Sequence, residues 1–385
     1  MRKKILVIDD SALLRRVMCD IINSDSNLQV VDTCKDGVEG YEKLKNNTYD
    51  GVILDVNMPR MSGLELLEKL KADNIKAKII IVSTVARAES QITIRALELG
   101  AIDFVEKPLN IIEAKGDVFK NRLLVILNNS IVSDGVGKTR RKDFTQQSVS
   151  FPPKASSTRR ERQSDNSCVE KFKPVEVSSD KRHQKIRPSK GAKNVLIAVA
   201  CSTGGPKALQ RVVPYIPSEI DAPIVIVQHM PKGFTQSLAE RLNEISKVKV
   251  KEAENGEILK KGVVYIAPGG NHLEIKKVSD TSHKIAFNDM PAIGGLKPCA
   301  NVMYDSLITS GYDKIVCVVL TGMGADGTAG ITSLASKKPV YIISQNEQTC
   351  VVYGMPRAIA LTGLVDEVVP LNDVANCITK NVGVE

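Results

Sequence analysis

Asp9, Asp10, Asp55, Ser83 and Lys107 each follow closely on a short apolar run, at residues 5–8, 52–54, 79–82 and 104–105. If those runs are strands of one parallel sheet, the five residues converge, because ligands of open parallel sheets bind at the carboxyl ends of the strands. Three carboxylates beside a lysine suit Mg²⁺, which takes hard oxygen ligands and keeps waters that a phosphate can replace. Repulsion among the acids keeps such a site avid for a cation. Asp55, the central acid, is the best phosphoryl acceptor, and the Ser83 hydroxyl and Lys107 ammonium can read the added charge of about −2. A plainer reading makes Asp9, Asp10 and Ser11 caps of the next helix and Asp55 a loop acid. Four such placements together favour the site.

A second constellation lies beyond residue 193. The run at 195–200 ends in Cys201-Ser202-Thr203-Gly204-Gly205-Pro206, which puts Ser202 on a tight strand-to-helix turn. Residues 224–227 lead into Gln228-His229-Met230-Pro231, and residues 315–320 into Thr321-Gly322-Met323-Gly324-Ala325-Asp326-Gly327. A serine hydroxyl is a weak nucleophile until a base takes its proton and a third group orients that base. His229 and Asp326 fill those parts. The chain has only His183, His229, His272 and His283 to choose from, and His229 alone directly follows a strongly apolar run. His272, in Pro268-Gly269-Gly270-Asn271-His272, is the competing base. The same residues also suit plainer parts: Ser202 as a helix cap, His229 as a satisfied turn residue, Asp326 as a turn former. Met323, between glycines, can turn its backbone N–H to a developing oxyanion, while its side chain reads as core.

The elements that must position these groups are strands alternating with helix-period stretches, which is the pattern of parallel sheets covered by helices. At 385 residues, 43% hydrophobic and 25% charged, the chain predicts two or three domains. An α/β domain is expected over 1–125 and a second, with a mostly parallel sheet, over 193–385. Residues 126–192, rich in Ser, Lys, Arg, Gln and Pro, read as a basic flexible linker. Residues 134–193 hold sixteen Lys or Arg against seven acids, which accounts for the whole formal charge of +9. A basic pI therefore does not imply a nucleic-acid-binding fold.

The apolar run after Met1-Arg2-Lys3-Lys4 stops at Asp9, so no secretory signal is expected, and no stretch approaches the ~18 apolar residues of a membrane span. The protein is expected to be cytoplasmic with no membrane insertion. Eight scattered cysteines without a C-x-x-C pair suit reduced structural thiols. Gly137-Lys138-Thr139 imitates the end of a P-loop, but Val132 stands where the motif needs glycine. Ser202-Thr203-Gly204-Gly205 is not the G-x-S-x-G elbow, and the order Ser, His, Asp differs from that of α/β-hydrolases.

Val7-Ile8-Asp9-Asp10-Ser11, Leu54-Asp55-Val56-Asn57-Met58-Pro59 and Glu106-Lys107-Pro108 resemble the receiver domain of two-component response regulators. The resemblance implies a flavodoxin-like, doubly wound receiver with Mg²⁺ held by Asp10, Asp55 and the Asn57 carbonyl, Asp9 assisting through water. It also implies phosphotransfer from a histidine kinase to Asp55. The motifs around Ser202, His229 and Asp326, with Val264-Tyr265-Ile266-Ala267-Pro268-Gly269 and Val352-Tyr353-Gly354-Met355-Pro356-Arg357, look like the chemotaxis protein-glutamate methylesterases, the CheB family.

That resemblance implies a catalytic triad of Ser202, His229 and Asp326, with Thr203 beside the nucleophile and Met323 lending its amide to the oxyanion hole. The implied substrates are methyl-accepting chemotaxis receptors, with glutamine deamidation as a second activity. No cofactor is implied for the ester chemistry. Cys201 and the stretch Lys297-Pro298-Cys299-Ala300-Asn301 depart from the family's usual residues, the second leaving local substrate contacts open. Two rival outputs are a DNA-binding regulator and a non-catalytic receptor-binding adaptor. The first lacks a helix-turn-helix or aromatic stacking set, so no nucleic-acid partner is expected.

Overall fold

The computed structural model describes residues 2–108, 110–114, 116–132, 185–188, 191 and 193–383. Most of the expected linker, the imitation P-loop after Val132, and His183 lie outside the described residues.

The first domain alternates β1 (Lys3–Ile8), α1 (Ala12–Asn23), β2 (Leu28–Cys34), α2 (Gly37–Asn46), β3 (Gly51–Asp55), α3 (Gly63–Ala72), β4 (Ile79–Ser83), α4 (Arg87–Leu99), β5 (Asp103–Glu106), α5 (Ile111–Ala114) and α6 (Asp117–Leu127). A π-helical turn, Asn128–Val132, follows. The strands lie in the order β2-β1-β3-β4-β5, and every ladder is parallel. Successive side chains of a strand face opposite ways, which divides each apolar run between two cores. Ile5, Val7, Ile53 and Ile80 pack with Met18 and Leu123 of α1 and α6. Leu6, Ile8, Leu54 and Ile81 pack with Leu66 and Leu97 of α3 and α4. Ser11 caps α1 through the Leu14 amide, and Ser62 with Glu65 closes a capping box on α3. The sheet order reverses between β1 and β3, which opens a crevice beyond their ends. The apolar runs do not reveal β2, because only its terminal residues Leu28 and Cys34 are buried, as befits an edge strand.

The second domain contains β6 (Val195–Cys201), α7 (Gly205–Val212), β7 (Ile224–Gln228), α8 (Phe234–Ile245), β8 (Lys249–Glu252), β9 (Val263–Ile266), β10 (His272–Lys277), β11 (His283–Asn288), α9 (Ala300–Ser306), β12 (Lys314–Val319), α10 (Thr328–Ala335), β13 (Val340–Gln345), α11 (Met355–Ala360), β14 (Glu367–Val369) and α12 (Val374–Val382). Seven of its strands form one sheet in the order β14-β13-β12-β6-β7-β9-β8, all parallel. β10 and β11 form a separate antiparallel hairpin. All seven residues of β6 are buried, which is why this strand reads as an unbroken apolar run. Ahead of β6, the Ile186 amide donates to the Ala335 carbonyl and the Val340 amide to the Ile186 carbonyl, tying residues 185–188 to the second domain.

α4 of the first domain lies along α8 of the second. Phe104 meets Phe234 at 4.4 Å between ring centroids, a pair worth about 0.5–1.5 kcal/mol beyond its buried area. The buried hydroxyls of Ser90 and Ser237 are 2.6 Å apart. Around them Arg87 and Gln91 donate to Glu240, and Arg241 forks Glu98.

Candidate active site and phosphoacceptor crevice

In the receiver crevice Asp9, Asp10 and Asp55 bring carboxylate oxygens within 4.8 Å of one another. Lys107 Nζ lies 2.7 Å from Asp55 Oδ2 and 3.2 Å from Asp9 Oδ2. Asp9 Oδ1 accepts the Ser11 amide at 2.8 Å. Burial pushes Asp55 up to about 6, opposed by its bond to Lys107 and reinforced by the charge of Asp9. Asp9 is raised as well, again chiefly by burial. One ammonium among three carboxylates leaves excess negative charge in a largely buried cleft, and the donors are all hard oxygens, so the residues fit a divalent cation such as Mg²⁺. The Asn57 side chain donates to Glu89 at 2.6 Å. Ser83 is fully buried at the end of β4, with its hydroxyl accepting from Thr93 at 2.7 Å. The Lys107 amide donates to the Ser83 carbonyl at 2.7 Å, so both candidate phosphate readers sit at adjacent strand ends. Ser11 does cap α1, and the plain and functional readings of that motif hold together.

At the other site β12, β6 and β7 are neighbours. Cys201 pairs with Gln228, and the His229 amide donates to the Cys201 carbonyl at 3.3 Å, so Ser202 and His229 are the next residues along adjoining strands. The loop after β12 closes on Ser202 from the other side. Ser202 donates its amide to the Thr321 carbonyl at 3.0 Å. A Cβ on Gly322 would lie 2.9 Å from that of Ser202, so only glycine allows the approach.

His229 Nε2 is 2.7 Å from Asp326 Oδ2. The same oxygen accepts the Ala300 amide at 2.6 Å, while Oδ1 accepts the amides of Asn301 and Gly327 and the Cys299 thiol. Burial pushes Asp326 upward, but the bond and charge of His229, followed by Ala300 and Cys299, outweigh it and hold the carboxyl down at about 2. An ionised carboxylate only accepts, so Nε2 carries the proton and Nδ1 is the free base of neutral His229.

The supporting frame was invisible as chemistry in the sequence. Gln228 Nε2 donates to the Ser202 carbonyl at 3.0 Å. The Thr321 hydroxyl donates to the Thr203 carbonyl at 2.9 Å and accepts the Val351 and Val352 amides. His272, the competing base, is fully buried and engaged at both nitrogens: Nδ1 accepts the Cys299 amide, and Nε2 faces the Pro291 carbonyl. His283 stacks on Tyr312 and accepts the Gly311 amide. Met323 differs from the core residue its side chain suggests, being 39% exposed beside Asn129 of the first domain.

The receiver reaches this edge. The Asn129 side-chain amide donates to Met323 Sδ at 2.8 Å, and Asp103, buried at the start of β5 with Oδ1 accepting the Phe104 amide, is raised in pKa by burial against the charge of Arg122. No sequence signal distinguished Asp103 from an ordinary strand-end acid. A cavity of about 670 Å³ is lined by Phe104, Lys107 and Arg122 from one domain and by His229, Pro231 and Lys297 from the other. The candidate phosphate reader and the candidate base thus share one cavity.

A doubly wound domain with an acidic crevice, joined to a parallel-sheet domain that gathers serine, histidine and aspartate, defines a response regulator with a hydrolase-type output. Residues 5–116 match the response regulator receiver domain and residues 197–378 the CheB methylesterase domain. The chain belongs to the CheB family. It is 39% identical to a Syntrophomonas wolfei protein named protein-glutamate methylesterase/protein-glutamine glutaminase 1, over 97% of each chain. It is 35% identical to the protein-glutamate methylesterase/protein-glutamine glutaminase of Bacillus subtilis, over 98% of each. Among solved structures, the Thermotoga maritima CheB methylesterase catalytic domain is 37% identical, with a TM-score of 0.46 over 48% of this chain and 97% of that one. The response regulator domain of Thermotoga maritima CheB is 34% identical, with a TM-score of 0.29 over 32% and 92%.

Proposed function

We propose that this protein hydrolyses γ-methyl esters of glutamate side chains, and deamidates glutamine side chains, on methyl-accepting chemotaxis receptors, under control of phosphorylation at Asp55. The observation that carries the reading is the delivery of Ser202, His229 and Asp326 by three neighbouring strand ends, with the His229–Asp326 bond made.

In this mechanism His229 Nδ1 takes the Ser202 proton as Oγ attacks the γ-carbonyl. The imidazolium that forms stays paired with the ionised Asp326. The Met323 amide receives the oxyanion. Collapse expels methanol, protonated by His229, and leaves an acyl-serine. Water, deprotonated by the same imidazole, then releases glutamate and restores Ser202. From a glutamine amide the leaving group is ammonia and the remaining steps are the same. Thr203 sets the turn beside the nucleophile.

The receiver gates access. Its Asn129 on Met323 and its wall of the cavity beside His229 support a docked state that hinders a receptor helix. Phosphoryl transfer from a chemotaxis histidine kinase to Asp55 redirects Lys107 and Ser83 and weakens the docking. Asp9, Asp10, Asp55 and the Asn57 carbonyl would hold Mg²⁺, which neutralises phosphoryl charge during transfer. The seven described cysteines are free, which suits the reducing cytoplasm. Among the described residues no helix is long and apolar enough to cross a membrane.

Methanol release from methylated receptors tests the reading. Ser202→Ala should lower turnover by on the order of 10⁶, as loss of a serine nucleophile does in hydrolases. Near-normal methanol release by that variant would overturn the assignment.

A further inference from the structure

We propose that Cys299 is a positioning residue of the esterase, its thiol proton fixing the rotation of the Asp326 carboxylate so that Oδ2 is left to face His229. The inference rests on Ser202, His229 and Asp326 being the catalytic set. Cys299 immediately precedes α9, is 1% exposed, and places Sγ 3.1 Å from Asp326 Oδ1. Burial, reinforced by the charge of Asp326, pushes the thiol up to about 12, so it remains protonated and donates at working pH. The other donors to Oδ1 are backbone amides of Asn301 and Gly327, and the Asn301 side chain is turned away to accept from Gly327 and Gly330. Cys299 and His229 are therefore the two side chains that hydrogen-bond this carboxylate among the described residues.

The thiol is itself held in place. The Cys299 amide donates to His272 Nδ1 at 3.2 Å, and His272 Nε2 bonds the Pro291 carbonyl at 3.1 Å. The histidine that competes for the base in the sequence thus anchors the residue that orients the acid. A donor on Oδ1 has an electrostatic effect as well. It draws charge from the carboxylate, weakening the hold of Asp326 on the imidazolium, so that His229 gives up its proton more readily.

The test uses the full chain without phosphodonor, and compares Cys299→Ala, the near-isosteric Cys299→Val and Cys299→Ser. A lost hydrogen bond to a charged group predicts a fall in kcat of about tenfold for Ala and Val, with KM unchanged. The acid limb of kcat/KM should move upward by several tenths of a pH unit, because Asp326 regains charge facing His229. Ser, which keeps a donor, should restore most of the rate and return the acid limb. Glu106, Lys107, Glu113, Arg122 and Lys297, which line the cavity with His229, are common to all variants, so the limb reports the change at Asp326.

If Ala and Val fail to fold, infrared spectra of folded chains provide the second measurement. Asp326→Asn should shift one S–H stretching band to higher frequency, and the same band should be missing in Cys299→Ser. Wild-type kcat and an unmoved acid limb in Cys299→Ala, or an S–H region indifferent to Asp326→Asn, would refute the positioning role. A Ser202→Ala variant that retained activity would instead bring down the triad reading.

Discussion

Reversing the charge at Arg241 should open the catalytic edge without touching it. Arg241, on α8, forks Glu98 of α4 with Nη2–Oε2 at 3.1 Å, and the two side chains are 38% and 23% exposed. After solvent screening such a pair contributes about 1 kcal/mol to docking. A glutamate at this position replaces the attraction by a repulsion of similar size, and it also faces Glu244, which Arg241 now holds at 2.8 Å. The change of about 2 kcal/mol corresponds to roughly 30-fold in the docking equilibrium. If docking limits access to Ser202, basal methanol release by the unphosphorylated chain should rise by up to that factor, while the fully phosphorylated rate stays the same. Amide hydrogen exchange along α4 and α8 reports the undocking directly. Combining Glu98→Arg with Arg241→Glu restores an attractive pair and should return the basal rate towards wild type. An unchanged basal rate in a variant whose α8 amides show that the receiver has let go would refute the access argument.

Two further perturbations address the turn and the crevice. A methyl group on Gly205 would sit 1.9 Å from Gln228 Oε1, displacing the side chain that holds the Ser202 carbonyl. Gly205→Ala should therefore lower kcat by on the order of 100-fold, as a misplacement of about 1 Å does. Wild-type turnover in this variant would show that the Gln228 contact is dispensable. Chelation of divalent cations, or Asp55→Asn, should abolish stimulation by a small-molecule phosphodonor while leaving basal methanol release intact. Stimulation that persists in a metal-free buffer would remove the cation from the scheme.

The strands that carry chemistry were legible because they are buried on both faces: β3, β4, β6 and β7 read as apolar runs with a polar residue at or directly behind their ends, and β12 as one followed by the glycine-rich loop that carries Asp326. Edge elements were not. β8 is Lys249-Val250-Lys251-Glu252, whose charges suit an exposed sheet edge and conceal the strand. The choice between His229 and His272 was open in the sequence because burial and hydrogen-bond saturation are properties of the folded neighbourhood, and both nitrogens of His272 are engaged there. Asp103 gave no local signal either. Its raised pKa comes from burial in the folded chain, of which sequence spacing carries no record. Cys299 drew notice as a departure from the family's usual residue, but its contact with Asp326 is a matter of tertiary placement alone.

β6 lies fourth among seven strands, with both flanks hydrogen-bonded and every side chain enclosed. A signal arriving from the receiver meets helices and loop tips first, and bending this strand would mean deforming β12 and β7 with it. Such a scaffold resists control by warping the nucleophile. It admits control by unveiling, in which the machinery stays assembled and only its doorway changes. A foreign sensory module that covers the same doorway would then inherit a working enzyme.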